Sequence, residues 1–219
     1  MSVTSIPGLI LAAGRGVRFL GSGGGGSKVL SDLDGRPLIE HVIASAVEAG
    51  LRPLLVLVPE GLHIPGTGGT WPLESVINPD PDRGIGTSLA IGLTALARRV
   101  PEAPACAVLL GDQPGVDHRT IAAVLERWRQ VGGPVRAQYD DGPGHPVVLP
   151  RGLWTALGAA GPSASGESSY GSARGSTDVG ARGLLERHDV SQVRVSGPAP
   201  RDVDTLDDLL RLRGSGSHG

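Results

Sequence analysis

Residues 6–28 read IPGLILAAGRGVRFLGSGGGGSK, and in this stretch an apolar run passes directly into a glycine-rich loop. The apolar run, residues 6–12, is typical of a parallel strand that is buried on both faces of a sheet. Glycines let backbone N–H groups approach an anion closely, and the side chains of Arg18 and Lys28 can neutralise phosphate charge. The stretch therefore predicts a buried strand followed by an anion-binding loop, with a mobile surface loop as the alternative.

Two well-known phosphate-binding loops do not fit this stretch. A P-loop has glycine before its lysine and serine or threonine after it, whereas Ser27 and Val29 flank Lys28. A dinucleotide-binding loop needs a third glycine at the position where this chain has Phe19. The run 21–27 contains only Gly and Ser, and we expect it to be flexible and disordered in the free protein.

Strands and helices alternate through the first two-thirds of the chain. Apolar runs predict the strands, and apolar residues at helical spacing predict the helices between them. The predicted strands are 6–12, 54–58, 75–77 and 105–110, and the predicted helices are 37–50, 86–99 and 117–130. This order predicts an α/β fold with a Rossmann-like, mostly parallel sheet flanked by helices, in which ligands bind at the carboxyl ends of the strands.

Beyond residue 130 the pattern changes to a hairpin. The runs 135–139 and 146–149 flank the turn sequence Asp140-Asp141-Gly142, and we expect them to form a small β-hairpin subdomain beside the site. A helix at 184–188, a strand at 190–195 and a helix at 206–212 complete the predicted elements. The length favours a single domain, residues 1–213, with a flexible tail at 214–219.

Composition narrows the function classes. The chain has 20 Lys and Arg against 22 Asp and Glu, a formal charge of 20 − 22 = −2, so a nucleic-acid partner is not expected. No apolar stretch approaches the ~20 residues of a membrane span, and the N-terminus lacks the pattern of a secretory signal, so we expect no membrane association and a cytoplasmic location. The single cysteine, Cys106, lies in an apolar run and is predicted to be buried.

Carboxylates at two places could bind a metal ion. Asp112 directly follows the predicted strand 105–110, where it can hold a magnesium ion that bridges phosphates, or else bond to its own turn. In Asp202-Val203-Asp204 the two carboxylates lie on the same side if the segment is extended, and they could supply a second metal contact. Alternatively Asp204 or Thr205 caps the last helix, and both interpretations hold together if Asp202 binds metal and Asp204 caps.

Six motifs occur in one order along residues 8–210. They are LAAGRGVR at 11–18 with Lys28, Asn78-Pro79 with GIGTSL at 84–89, LGDQP at 110–114, GHPV at 144–147, DVGAR at 178–182 and DVDT at 202–205. In this set the chain resembles the molybdenum cofactor nucleotidyltransferases of the NTP-transferase superfamily. The resemblance implies the sheet of the nucleotide-diphospho-sugar transferases and Mg2+ as the cofactor.

The resemblance also implies roles for individual residues. Arg18 and Lys28 correspond to the family's phosphate-binding cations, and Asp112 with Asp202 or Asp204 corresponds to its metal ligands. The implied nucleotide-binding residues are Leu11, Ala12, Ala13, Gly14, Arg15, Gly16, Asn78, Gly84 and Ser88, and the implied acceptor-binding residues are His145, Asp178 and Arg182. The family's lysine follows its arginine more closely than Lys28 follows Arg18, so this chain has a longer loop.

The resemblance implies an enzyme that transfers CMP from CTP to a phosphorylated acceptor, molybdopterin above all, and releases pyrophosphate. Family members with Ala-Ala-Gly, as at 12–14, resemble cytidylyltransferases, and the β-carbon of Ala13 would narrow the space beside the base in favour of a pyrimidine. GTP as the nucleotide or a sugar phosphate as the acceptor is the alternative within this enzyme class. A non-catalytic chaperone that hands molybdenum cofactor to a molybdoenzyme is the alternative outside it.

Overall fold

The computed structural model describes residues 5–66, 72–159 and 188–215. The strands are β1 (Gly8–Leu11), β2 (Asp32–Leu33), β3 (Arg36–Pro37), β4 (Leu54–Pro59), β5 (Leu73–Asn78), β6 (Ala105–Leu110), β7 (Val135–Tyr139), β8 (Gly142–Pro150) and β9 (Ser191–Arg194). The helices are α1 (Val17–Gly21), α2 (Leu38–Glu48), α3 (Ile85–Arg99), α4 (His118–Val131), α5 (Trp154–Ala159) and α6 (Leu206–Ser215). Short 3-10 helices occupy Lys28–Leu30, Pro81–Arg83 and Arg151–Leu153.

Seven strands form one sheet in the order β5-β4-β1-β6-β8-β7-β9, and β2 pairs with β3 in a separate two-stranded sheet. β1 pairs in parallel with both β4 and β6, while β8 runs antiparallel to β6 and to β7. The sheet is therefore mostly parallel, as predicted, and the carboxyl ends of β1, β4, β5 and β6 open on one edge.

The predicted hairpin forms, but its strands occupy a different place from the one we expected. β7 and β8 extend the main sheet beyond β6 instead of forming a separate subdomain. Burial explains this: residues 146–149 of β8 are buried where the strand lies against β6, so the apolar half of the hairpin covers an otherwise exposed edge. The last helix also extends to Ser215, two residues beyond the predicted domain boundary.

Alternate residues of the central strands pack on opposite faces of the sheet. Leu9 and Leu57 face α3, and Ile10 and Val56 face α2 and α4. α3 lies closest to the sheet at Gly92, where a Cβ atom would lie 2.6 Å from Leu9 Cδ1 and 2.9 Å from Leu57 Cδ2. Because both faces are covered, β1 and β6 carry almost only apolar residues, which is why the sequence predicts them well.

α4 begins as predicted. The carboxylate of Asp117 accepts a hydrogen bond of 2.7 Å from the backbone N–H of Thr120, and this bond is the main reason that the pKa of Asp117 lies below its usual value. Cys106 is buried in β6, as expected, and burial raises the pKa of its thiol. In the three described ranges, no helix has both the length and the apolar character needed to cross a bilayer.

Candidate functional site

The loop after β1 has a defined path around one aromatic side chain. Gly16 adopts a φ of 61° and starts α1, which directs Phe19 into a small core with Leu33, Leu38 and other apolar residues. At Gly24 a Cβ atom would lie 2.2 Å from the Phe19 ring, so this one glycine of the run packs closely over the ring. The run that the sequence predicted to be disordered therefore has specific contacts.

The same loop is tied to the C-terminal helix. The hydroxyl of Ser22 accepts a hydrogen bond of 2.9 Å from the backbone N–H of Leu206 and donates one of 2.8 Å to the carbonyl of Phe19. Leu209 of α6 belongs to the core around Phe19. The loop and the C-terminal segment therefore form a continuous structure, although they are far apart in sequence.

Four charged side chains meet at the carboxyl ends of β1 and β6, and we call Arg18, Lys28, Asp112 and Asp204 the charged cluster. Lys28 Nζ lies 2.7 Å from Asp112 Oδ2 and 3.3 Å from Asp204 Oδ1. An Arg18 Nη atom lies 2.8 Å from Asp204 Oδ2. The side chain of Lys28 is 10% exposed and that of Arg18 is 76% exposed. The longer loop therefore brings Lys28 to Asp112, a contact that the sequence motifs did not predict.

Two backbone features place Asp112 and Asp204 together. Gly111 lies against β1, where a Cβ atom would come within 2.8 Å of Ala12 Cβ, so only glycine allows this approach without displacement. The carbonyl of Asp112 accepts a hydrogen bond of 3.0 Å from the N–H of Val203. Val203 is fully buried, so the segment that carries Asp204 is anchored beside the β6 loop.

A turn of the hairpin holds the approach to that segment. The carboxylate of Asp140 accepts a hydrogen bond of 2.8 Å from the N–H of Gly197, and that of Asp141 accepts one of 2.7 Å from the N–H of Ala199. Gly115 then packs against Pro200, where a Cβ atom would lie 3.2 Å from Pro200 Cβ. The hairpin turn therefore fixes the chain that leads to Asp204, a role the sequence motifs did not indicate.

The geometry does not match the combined interpretation in which Asp202 binds metal and Asp204 caps the last helix; it matches the alternative in which Thr205 is the cap. Asp204 belongs to the charged cluster and does not cap α6; Thr205 caps it, with Asp208 accepting a hydrogen bond of 2.8 Å from the Thr205 N–H. Asp202 accepts a hydrogen bond of 2.7 Å from the amide of Gln113, a residue that the sequence analysis left out of the site. Burial, with the negative charges of Asp112 and Asp204, raises the pKa of Asp202.

The carboxylates fit a divalent cation that is shared with a substrate. Within the described ranges, no group of three or more His, Cys, Asp and Glu side chains is arranged to hold a metal ion. Asp112 and Asp204 both contact one nitrogen atom, so both could also contact one cation. Magnesium is commonly held by one or two carboxylates together with substrate phosphates and water, and this donor set matches that pattern.

A buried polar pair lies at the end of β5, on the other side of β1. The amide of Asn78 donates a hydrogen bond of 2.9 Å to the hydroxyl of Ser88 in α3, and we call these two side chains the amide–hydroxyl pair. Asn78 Oδ1 accepts a further bond of 3.0 Å from the N–H of Asp80, and Gly84 precedes α3 with a φ of 89°. Asn78 and Ser88 are buried, and their hydrogen bond holds the end of β5 against the first turn of α3.

An open cleft of about 480 Å³ lies between the first loop and the loop that follows β4. Its lining residues are Gly14, Arg15, Val17, Leu20, Ser27, Pro59, Glu60, Gly61 and Leu62. Residues 59–62 directly follow a predicted strand but form no sequence motif, so the sequence gives no sign that they line a cleft. Arg15 also forms an exposed ion pair of 2.8 Å with Asp82.

Ala13 does not line this cleft. Its side chain is 3% exposed and packs in the core beneath α3, and Leu11 and Ala12 are buried as well. The β-carbon of Ala13 therefore does not narrow the open space, and our steric argument for a pyrimidine receives no support from this geometry. Any ligand contact at residues 11–13 would involve the backbone.

His145 lies on β8 close enough to Asp112 for their charges to interact. Burial lowers the pKa of His145 to about 4, while the negative charge of Asp112 acts in the opposite direction, so the imidazole is neutral at pH 7. The hydroxyl of Tyr139 donates a hydrogen bond of 2.8 Å to the His145 carbonyl. The other two residues predicted to bind the acceptor, Asp178 and Arg182, lie outside the described residues.

Comparison with models of known protein families identifies the family of this chain. The model for the MobA-like NTP transferase domain matches residues 8–193. The chain belongs to the MobA-like NTP transferase domain family. This family is part of the nucleotidyltransferase superfamily. The match contains β1, the first loop and β6, which carry three of the four residues of the charged cluster.

Solved structures similar to this MobA-like NTP transferase domain cover nearly the whole chain. Rv0371c from Mycobacterium tuberculosis H37Rv is 30% identical, with a TM-score of 0.72 and coverage of 98% of this chain and 100% of that one. A structure of the Rv0371c complex with manganese is 28% identical, with a TM-score of 0.67 and coverage of 97% and 100%. The CMP:2-keto-3-deoxy-manno-octonic acid synthetase complexed with CTP, 14% identical over 97% of this chain and 98% of that one with a TM-score of 0.70, shares the fold.

Among curated relatives, the bifunctional protein GlmU of Clavibacter sepedonicus is 31% identical over 150 residues. The match covers 66% of this MobA-like NTP transferase domain and 29% of the GlmU protein. The match therefore spans less than a third of the length of that relative.

Proposed function

We propose that this chain transfers CMP from CTP to the phosphate group of a small phosphorylated acceptor, with molybdopterin as the first acceptor to test, and releases pyrophosphate. The observation that carries the proposal is the charged cluster, in which two cations and two carboxylates converge at the carboxyl ends of β1 and β6. Cations can bind a triphosphate and carboxylates can bind its metal ion, so the cluster contains both parts of a nucleotidyl-transfer site.

The proposed reaction is an in-line displacement at the α-phosphorus. A phosphate oxygen of the acceptor forms a bond to this phosphorus, and the bond to the bridging oxygen breaks, so pyrophosphate leaves with the electron pair. A phosphate monoester has a second pKa of about 6 and is mostly a dianion at neutral pH, so no strong general base is needed. Positioning and charge neutralisation then supply the catalysis.

Side chains of this domain have three tasks in that reaction. Lys28 and Arg18 bind phosphate oxygens and hold the triphosphate in line with the acceptor. Asp112 and Asp204 would hold Mg2+, which would supply positive charge to offset the charge that develops on the leaving group. His145 is neutral at pH 7 and can therefore hydrogen-bond the acceptor without adding charge.

The specificity for CTP rests on the Ala12-Ala13-Gly14 motif, and the choice of molybdopterin rests on the resemblance in the six sequence motifs. Asp178 and Arg182 are proposed to contact the acceptor on the same basis. A molybdoenzyme is then the proposed recipient of the product.

The first test is a thermal-shift screen with CTP, GTP, ATP and UTP, each with and without Mg2+. CTP with Mg2+ should raise Tm the most, by roughly 5–10 °C at a hundredfold excess over Kd, because a ligand that binds only the folded state stabilises it. Larger stabilisation by GTP would contradict the nucleotide assignment and leave the reaction class intact.

The second test measures pyrophosphate release from CTP with molybdopterin, with a sugar phosphate as the comparison acceptor and a reaction without acceptor as the control. We expect pyrophosphate release with molybdopterin, and none with the sugar phosphate or without acceptor. Release only with the sugar phosphate would contradict the acceptor assignment. Magnesium-dependent binding of CTP without release with either acceptor would contradict the enzyme and favour the cofactor-carrying chaperone.

A further inference from the structure

We propose that Lys28 occupies the divalent-cation position of the free protein with its own amino group, so that a triphosphate must draw Lys28 away before the metal ion binds tightly. This inference rests on the proposed function, because it assigns Asp112 and Asp204 to the metal. The amino group contacts both carboxylates at once, at 2.7 and 3.3 Å, which is the position that a shared cation would take. It is also the least exposed group of the charged cluster.

The net charge of the cluster favours replacement of the basic groups by a divalent cation over addition of the cation beside them. Lys28 and Arg18 carry two positive charges, and Asp112 and Asp204 carry two negative charges, so the free cluster is neutral. A divalent cation that replaces the two basic groups preserves this balance, whereas a divalent cation added beside Lys28 is repelled at close range. A bound triphosphate carries enough negative charge to hold both basic groups after they leave the carboxylates.

The exchange requires only side-chain motion. The backbone at Lys28 is held in its short 3-10 helix, where the carbonyl of Lys28 accepts a hydrogen bond of 3.1 Å from the N–H of Ser31. A lysine side chain has a flexible four-carbon stem, so its amino group can move several ångström while the backbone stays fixed. Arg18 is largely exposed and can leave Asp204 without breaking any packing.

The inference predicts that nucleotide and metal bind cooperatively. If the triphosphate removes Lys28 from the carboxylates, it raises the affinity for the metal, and the metal must raise the affinity for the triphosphate by the same factor. Metal binding to the free protein should be weak because the amino group of Lys28 occupies the cation position. Substitution of Lys28 by an uncharged residue should therefore strengthen metal binding.

The first experiment measures Mn2+ binding by isothermal titration calorimetry without nucleotide. The variants are Lys28→Met, which removes the charge, and Lys28→Arg, which keeps it, and the control is Arg99→Met, which breaks a remote ion pair with Glu74. Lys28→Met should bind Mn2+ at least about tenfold more tightly than the wild type, because a close like charge is lost. Lys28→Arg and Arg99→Met should match the wild type. Unchanged or weaker Mn2+ binding by Lys28→Met would overturn the inference.

The second experiment follows the wild-type side chain directly. Lys28 is the only lysine in the sequence, so lysine labelled with 13C at Cε gives one side-chain signal by NMR. A CTP analogue with a non-hydrolysable α,β-linkage, added without metal, should shift this signal and should tighten the subsequent binding of Mg2+ about tenfold or more, the effect of about 1.4 kcal/mol of coupling. A Lys28 signal that stays unchanged at saturating analogue would overturn the inference.

Pyrophosphate release by the wild-type preparation separates this inference from the proposed function. Normal release together with unchanged Mn2+ affinity in Lys28→Met overturns the exchange and leaves the function standing. Tighter Mn2+ binding in Lys28→Met without pyrophosphate release in the wild type supports the exchange and contradicts the function.

Discussion

The charged cluster and the amide–hydroxyl pair lie on the same edge of the sheet, and they are built in opposite ways. In the charged cluster, ionised side chains of 10% to 76% exposure neutralise one another across segments that are distant in sequence. In the amide–hydroxyl pair, Asn78 and Ser88 are neutral and almost fully buried, and their partners are fixed. Ion pairs near solvent contribute little to stability, whereas breaking a buried hydrogen bond leaves an unsatisfied group in the core. We therefore expect substitutions in the charged cluster to change activity, and substitutions in the amide–hydroxyl pair to change the free energy of unfolding.

Removing Asp112 should give the largest effect and should affect activity only. We expect Asp112→Ala to lower the rate of pyrophosphate release by at least about a hundredfold, because the site loses a carboxylate that is proposed to hold the metal ion, and with it the positive charge that offsets the phosphates. Its Tm should change by no more than about 4 °C, which corresponds to about 1 kcal/mol in a domain of this size. Asp207→Ala, which removes an exposed carboxylate in the first turn of α6, is the control and should retain normal turnover. Near-normal turnover by Asp112→Ala would contradict its assigned role.

Removing Asn78 should give the opposite pattern. Asn78→Ala leaves the buried hydroxyl of Ser88 without its donor, so we expect the free energy of unfolding to fall by about 1–3 kcal/mol. Urea denaturation followed by circular dichroism measures this change. Thr94→Ala in α3 is the control, because Thr94 is an exposed residue and its bond to the Ala90 carbonyl is local; its effect should stay within about 0.5 kcal/mol. Equal effects of the two substitutions would mean that burial of the amide–hydroxyl pair does not matter.

Removing Arg18 should give the smallest effect. Because its side chain is 76% exposed, Arg18→Gln should change the free energy of unfolding by less than about 0.5 kcal/mol. The Kd for the triphosphate should rise by about threefold to tenfold, since one charge-assisted contact is lost. Fluorescence titration and urea denaturation measure the two effects, with Arg99→Gln as the control for loss of an exposed ion pair elsewhere. A fall of more than about 1 kcal/mol in the free energy of unfolding would show that Arg18 contributes to stability as Asn78 does. That result would contradict the contrast between the charged cluster and the amide–hydroxyl pair.

The sequence predicted the central part of the fold well, because buried parallel strands have little freedom in composition. The apolar run 105–110 coincides with β6, and the cap at Asp117 is where the helical pattern begins. The placement of the hairpin was not predictable in the same way. Turn residues report that two strands pair with each other, but not which edge of the sheet they join.

The motifs indicated which residues could form the charged cluster, but not how they are arranged. Three separate motifs contain Lys28, Asp112 and Asp204, but the Asp-x-Asp pattern itself does not distinguish Asp202 from Asp204. That choice depends on one tertiary contact, the bond from the N–H of Val203 to the Asp112 carbonyl, and on the local cap that Thr205 and Asp208 form at α6. Composition predicted a flexible glycine run and could not predict the contact between Gly24 and the buried ring of Phe19, because composition takes no account of tertiary packing.

A substitution at Gly92 would change the hydrogen-bond geometry of the amide–hydroxyl pair from a distance. Gly92 lies one helical turn after Ser88 on the buried face of α3, and it has no room for a side chain above Leu9 and Leu57. A methyl group there would act as a spacer that tilts α3 away from the sheet and lengthens the bond from Asn78 to Ser88. Graded changes at this position would therefore tune the geometry at the end of β5 from a distance, without altering any group that a ligand could touch.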